Sequence, residues 1–402
     1  MRSARAARGR WAGTAAAVLA SLVVVSASPA QADTIRSRQW HLDSMHAEEM
    51  WETSTGAGVT VAVIDTGVDA SLDDLRGQVL AGRDFTAESG DGQTDTDGHG
   101  THMAALIAAT GKRGSETGSY GLAPGVKILP LRVGGKNYVD DTRAMVAALR
   151  YAAESDAKVI NISLATPARN DEEEKAITYA LSKGKMIIAG VGNTGDKTNM
   201  VQYPAAYPGV VGVAGLDQSG RSASWSQHGS QVDLSAPGVD AVSACPGDTE
   251  VCKGSGTSAA SALTSASAAL IWSVHPNWTA NQVTRVLVNT AGGADTGEKR
   301  NDYVGYGAVR PRIALKSPGD PGPADVNPLP GPTPSQEPKS DDGTDTADRL
   351  SKHTGTEASA KGGGATKWIA LGAGAAVLVG AAITTPILLS RRRKAGQGTT
   401  TL

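Results

Sequence analysis

Four short stretches carry residue types that together do one kind of chemistry. Ser258 stands in G-S-G-T-S-A-A-S, His99 in D-G-H-G-T-H, Asp65 in V-I-D-T-G-V-D and Asn193 in A-G-V-G-N-T-G. A serine hydroxyl near its free pKa is a poor nucleophile. It needs a base, a partner that orients the base, and donors for the oxyanion that forms on attack. Histidine is scarce, at 7 in 402 residues, so the pair His99 and His102 stands out. His99 lies between glycines ahead of an alanine-rich helical run that would fix the imidazole. His102, one turn on, is read as structural. Ser258 opens a helical run of serine and alanine. There the helix dipole favours developing negative charge, and the residue's own backbone N–H is a candidate oxyanion donor. Ser255, Ser261, Ser265 and Ser267 lack that placement and are read as small packing residues. Asn193 follows an apolar run and is the candidate second donor. Each residue alone has an ordinary alternative, a turn or a cap; their combination is what points to nucleophilic catalysis.

The elements that must position these residues are legible as apolar runs alternating with helical patterns. Val59–Asp65, Lys127–Val133, Val159–Leu164, Met186–Val191 and Val210–Leu216 read as buried strands, and Gly100–Ala109, Asp141–Glu154 and Asp171–Ser182 as helices. The last begins with four acidic residues and ends at Lys183-Gly184, which suits a helix dipole and a C-cap. Strands that are apolar throughout, alternating with helices, predict an α/β fold with a predominantly parallel sheet covered on both faces. Sites in such folds lie beyond the carboxyl ends of the strands, where Asp65 and Asn193 fall.

The chain ends set an expected compartment. A basic start, an apolar stretch from Trp11 to about Val25 and the small-residue site Ala30-Gln31-Ala32 predict a secretory signal peptide over 1–32. Near the other end, Trp368–Ser390 carries no charge and Arg391-Arg392-Arg393-Lys394 follows. A helix of that length covers roughly 34 Å, enough for a hydrocarbon core of about 30 Å. The basic residues predict a cytoplasmic tail at 391–402 and a single transmembrane helix at 367–390, with the bulk of the chain outside. Residues 317–366, rich in Pro, Gly and Asp, read as a flexible linker between that helix and a folded unit within 33–316. Cys245 and Cys252, a close pair in an exported chain, predict a disulfide. The 38 basic and 40 acidic residues give a net charge of −2, with no basic excess to suggest nucleic acid. Asp91, Asp95 and Asp97 read as an acidic surface loop, with calcium the alternative; the chemistry needs neither a catalytic metal nor a cofactor.

The four motifs, in the order Asp, His, Asn, Ser, resemble those of the subtilisin-like serine proteases over about Val59 to Leu315. The resemblance implies a serine endopeptidase, anchored by the expected C-terminal helix: Ser258 as nucleophile, His99 as base, Asp65 as orienting acid and Asn193 as oxyanion donor. It also implies that Asn161-Ile162-Ser163-Leu164 belongs to the strand beside which substrates lie, making Ser163, Leu164 and Ala165 substrate-binding. The family's usual Met, Pro and Gly are Ala259, Ala262 and Ala165 here, which bears on rate and specificity. Q-W-H-L-D-S-M-H-A-E-E-M-W, the cysteine loop, the Pro-rich spacer and the apolar C-terminal segment further resemble the mycosins, membrane-anchored subtilases of actinobacterial type VII secretion systems. That narrower resemblance implies an N-terminal stretch wrapped on the catalytic domain. It also implies type VII substrates or membrane components as partners, with a structural role in the secretion complex as the alternative to proteolysis.

Overall fold

Along Thr60–Asp65 (β1), Val61 and Val63 point into one core while Ala62 and Ile64 point into a second. A strand covered by helices on both sides requires that alternation. A computed structural model describes residues 34–86, 90–134, 142–293 and 299–329. The other strands of the main sheet are Arg83–Asp84 (β2), Lys127–Arg132 (β3), Val159–Ile162 (β4), Met186–Gly190 (β5), Val211–Leu216 (β6) and Leu234–Pro237 (β7). They lie in the order β2-β3-β1-β4-β5-β6-β7, parallel throughout. Ala241–Ala244 (β8) and Val251–Gly254 (β9) form a separate antiparallel hairpin.

The helices are Trp40–Ser44 (α1), Ala47–Trp51 (α2), His99–Ala108 (α3), Thr142–Glu154 (α4), Asp171–Ser182 (α5), Thr257–Val274 (α6), Ala280–Thr290 (α7) and Pro311–Lys316 (α8). Helices α3, α6, α7 and α8 share one core, and α4 and α5 cover the opposite face. The serine- and alanine-rich α6 is buried along nearly its whole length and packs against β4 to β7. Small side chains permit that close approach. Ala262 is fully buried within α6, so the alanine at the position where relatives of this motif carry proline continues the helix.

The N-terminal stretch docks on the domain. Gln39 bridges to Tyr120 and to the Val242 carbonyl, while the Trp40 and Trp51 indoles donate to Val239 and Leu122 carbonyls at 2.9 Å. Glu49 on α2 pairs with Lys316 and Arg312 on α8. The expected disulfide is present between Cys245 and Cys252, with Cα atoms 5.9 Å apart. Closing so short a loop stabilises by about 2–3 kcal/mol on the chain-entropy account.

The first part of the segment that reads as a linker is strapped to α7. The Arg285 guanidinium donates to the carbonyls of Pro321, Pro323 and Val326, Gln282 donates to Gly322, and Thr279 and Asn281 donate to Ala324. Leu329 then enters the core. A proline-rich segment offers many free carbonyls, and α7 supplies the donors. Among the described residues no helix is long and apolar enough to cross a membrane. The segments expected as signal peptide, transmembrane helix and cytoplasmic tail lie outside the described residues.

Candidate active site

The chain leaves β1 and β4 toward opposite faces of the sheet, and the residues singled out above collect beyond those carboxyl ends. Asp65 ends β1, Ser163 follows β4 and Asn193 follows β5. His99 is the first residue of α3 and Ser258 the second of α6, and these two helices pack side by side.

Asp65 is fully buried, and its Oδ1 accepts from His99 Nδ1 at 2.7 Å and from the Thr66 backbone N–H at 2.8 Å. Donation through Nδ1 leaves Nε2 of His99 with its lone pair, the tautomer a base requires. The His99 side chain is 33% exposed. Burial by itself lowers its pKa. The charge and hydrogen bond of Asp65, with Asp97 and Asp95 behind, outweigh burial and hold the imidazole above its ordinary value. Base function therefore rises with pH as His99 loses its proton. Asp95, in the acidic loop, uses both carboxylate oxygens to hold this region. It accepts from Thr66 Oγ1, from the backbone of Asp97, Gly98 and Thr101, and from Thr101 Oγ1. Thr66 Oγ1 in turn accepts from Gly100 N at 2.9 Å, which ties the end of β1 to the first turn of α3.

Ser258 Oγ donates to the Ser163 carbonyl at 3.2 Å, and among the described residues no hydrogen bond joins it to His99. Catalytic hydrogen bonds often tighten only when substrate enters. Asn193 is oriented through Thr257: its Oδ1 accepts from Thr257 N at 2.9 Å and Thr257 Oγ1 at 3.0 Å, so its Nδ2 is turned away from that contact. A Cβ on Gly256 would stand 3.4 Å from Asn193 Nδ2 and 3.7 Å from Ser258 N. The space that Gly256 leaves open thus lies between the two candidate oxyanion donors, and any side chain there would compete with the oxyanion.

Two serines read as packing residues do more than fill space. Asn161 Nδ2 donates to Ser163 Oγ, which meets Ser261 Oγ at 3.1 Å, and Ser265 Oγ donates to Asn161 Oδ1 at 3.0 Å. This buried network fastens the strand expected to hold substrate onto the helix of Ser258. Ser267, in contrast, only bonds back to the Leu263 carbonyl of its own helix. Leu164 is half-buried and Ala165 exposed, and Thr166 exchanges backbone hydrogen bonds with Tyr203. His102 is buried and its pKa is lowered to about 4, first by burial and then by His99. It stays neutral, as a structural residue does.

These side chains, on this sheet, are those with which serine hydrolases carry out acyl transfer. The model of the subtilase family matches residues 56–307, and the chain belongs to that family of serine endopeptidases. It is 38% identical over 234 residues to the thermophilic serine proteinase of Bacillus sp. (strain AK1), a match covering 58% of this chain and 57% of that protein. Thermitase of Thermoactinomyces vulgaris is 35% identical over 255 residues, covering 63% of this chain and 88% of thermitase. Among solved structures, MycP1 from Mycobacterium smegmatis superposes with a TM-score of 0.61 at 31% identity, over 71% of this chain and 86% of that one.

Proposed function

We propose that this protein is an extracytoplasmic, membrane-anchored serine endopeptidase that hydrolyses peptide bonds through Asp65, His99 and Ser258. The observation that carries the reading is the 2.7 Å bond from His99 Nδ1 to the buried Asp65 carboxylate, with Ser258 in the first turn of the adjoining α6. His99 Nε2 takes the proton of Ser258 Oγ as the oxygen attacks the substrate carbonyl. Asp65 stabilises the imidazolium so formed. The oxyanion is held between Asn193 Nδ2 and Ser258 N. His99 then returns the proton to the leaving amine, and water repeats the sequence to release the acyl group. The segment Ser163–Ala165 pairs with the substrate backbone.

The likeness to MycP1, in one case described as from the ESX-1 type VII secretion system, supports substrates exported by such a system. It also supports a second role as a structural partner of the secretion membrane complex; a Ser258→Ala protein that restores secretion to a deletion strain would favour that role. Export and anchoring rest on residues 1–32 and 367–390. The peptidase reading is tested by incubating the full chain with an unfolded protein such as casein. Cleavage is expected to fall by about 10⁶-fold in Ser258→Ala, the loss known for a subtilisin's nucleophile. Cleavage at the wild-type rate in the variant would overturn it.

A further inference from the structure

We propose that Gln227 is a positioning residue for the oxyanion amide of Asn193, a role that rests on the peptidase reading above. The loop 192–200, whose second residue is Asn193, is gripped by the segment 225–228. Gln227 N donates to the Gly192 carbonyl at 3.0 Å, and Gly195 N donates to the Trp225 carbonyl at 2.8 Å. At the far end, Gln227 Nε2 donates to the Met200 carbonyl. The Asn199 side chain accepts from His228 N at 3.0 Å and donates to the His228 carbonyl at 3.0 Å. Among the described residues Gln227 bonds both ends of the loop, the first through its backbone N–H and the second through its side chain.

Its placement is specific to the turn before Asn193. Gly192 has φ +109°, and a Cβ there would lie 1.5 Å from Gln227 Oε1, so the carboxamide occupies the space a side chain at 192 would take. On the other side, Gly192 N donates to Thr257 Oγ1 at 3.1 Å, the hydroxyl that also orients Asn193. The turn is therefore clamped between Thr257 and Gln227. Gln227 is fully buried and, among the described residues, its Oε1 has no partner. Methionine would fill the same volume without a desolvated oxygen, so filling space does not account for a carboxamide here. What the amide adds is the Nε2–H to Met200.

The test is a double-mutant cycle on the full chain with a chromogenic peptide, using Gln227→Met and, should that variant fold poorly, Gln227→Leu. Each removes the donor and nearly keeps the volume. A shift of an oxyanion donor by about 1 Å is expected to lower kcat by roughly 10- to 100-fold, with KM within about twofold. In an Asn193→Ala background the same substitution is expected to change kcat by less than about twofold, because the amide it positions is gone. Equal losses of kcat in both backgrounds, or an unchanged kcat in the single variant, would overturn the proposal. A crystal structure of the variant decides the matter independently of turnover: displacement of the Asn193 carboxamide supports the role, and an unmoved carboxamide refutes it. A wild type without hydrolysis would count against the peptidase reading alone.

Discussion

A carboxamide serves an oxyanion only if its nitrogen, not its oxygen, faces the reacting carbonyl, and Thr257 secures that for Asn193 with two donors to Oδ1. Asn193→Ala is therefore expected to lower kcat by about 10²–10³ with the fold intact, a magnitude known from a subtilisin's own oxyanion amide. A kcat within a fewfold of wild type would remove Asn193 from the oxyanion site. Asp65, His99, Asn193 and Ser258 stand out in the sequence because the chemistry demands those residue types, close to glycines, at the ends of strands or the starts of helices. Thr257, Asn161, Ser261 and Asp95 do not. They are common polar residues whose meaning lies in partners such as Ser265, more than a hundred positions from Asn161. Nothing local marks such a pair.

Helix α1 brings His41 beside the two histidines of α3, with consequences for acid stability. His41 is fully buried, neither ring nitrogen has a partner among the described residues, and its pKa is lowered to about 3 by burial, then by His102 and Arg36. Together with His102, it binds protons more weakly folded than unfolded. Their contribution to stability is thus complete above about pH 6.5 and is lost as pH falls towards 4 and then 3. Each proton so excluded corresponds to about 1.4 kcal/mol per pH unit. His41→Leu is expected to flatten the dependence of urea-unfolding free energy on pH between about 6 and 4.5. An unchanged slope would show that His41 does not carry it.

At the same scale, long elements were legible and short ones less so. Asp171–Ser182 matches the expected helix, but the strand read as Val159–Leu164 stops at Ile162. There Ser163 leaves the sheet to bond α6. Strand β7, which ends at Pro237, gave no apolar run long enough to notice. Helix α7 did carry a signal, the capping box of Thr279 and Gln282.

For the molecule as a whole, the ends of the folded unit are secured by polar contacts rather than by the sheet. Composition alone could not reveal the strap over α7, because a proline-rich segment reads as free until a donor such as Arg285 is seen facing its carbonyls. Arg285→Ala is expected to speed amide exchange across residues 320–327 while leaving kcat/KM on a small peptide within about twofold. Exchange at the wild-type rate would mean the strap is held without that guanidinium. Activation of Ser258 as a nucleophile is read by reacting the full chain with a fluorophosphonate probe and mapping the adduct by mass spectrometry. The adduct is expected on Ser258 in the wild type and to be lost in His99→Ala. A folded wild type that stays unlabelled, or labelling undiminished by His99→Ala, would contradict the account.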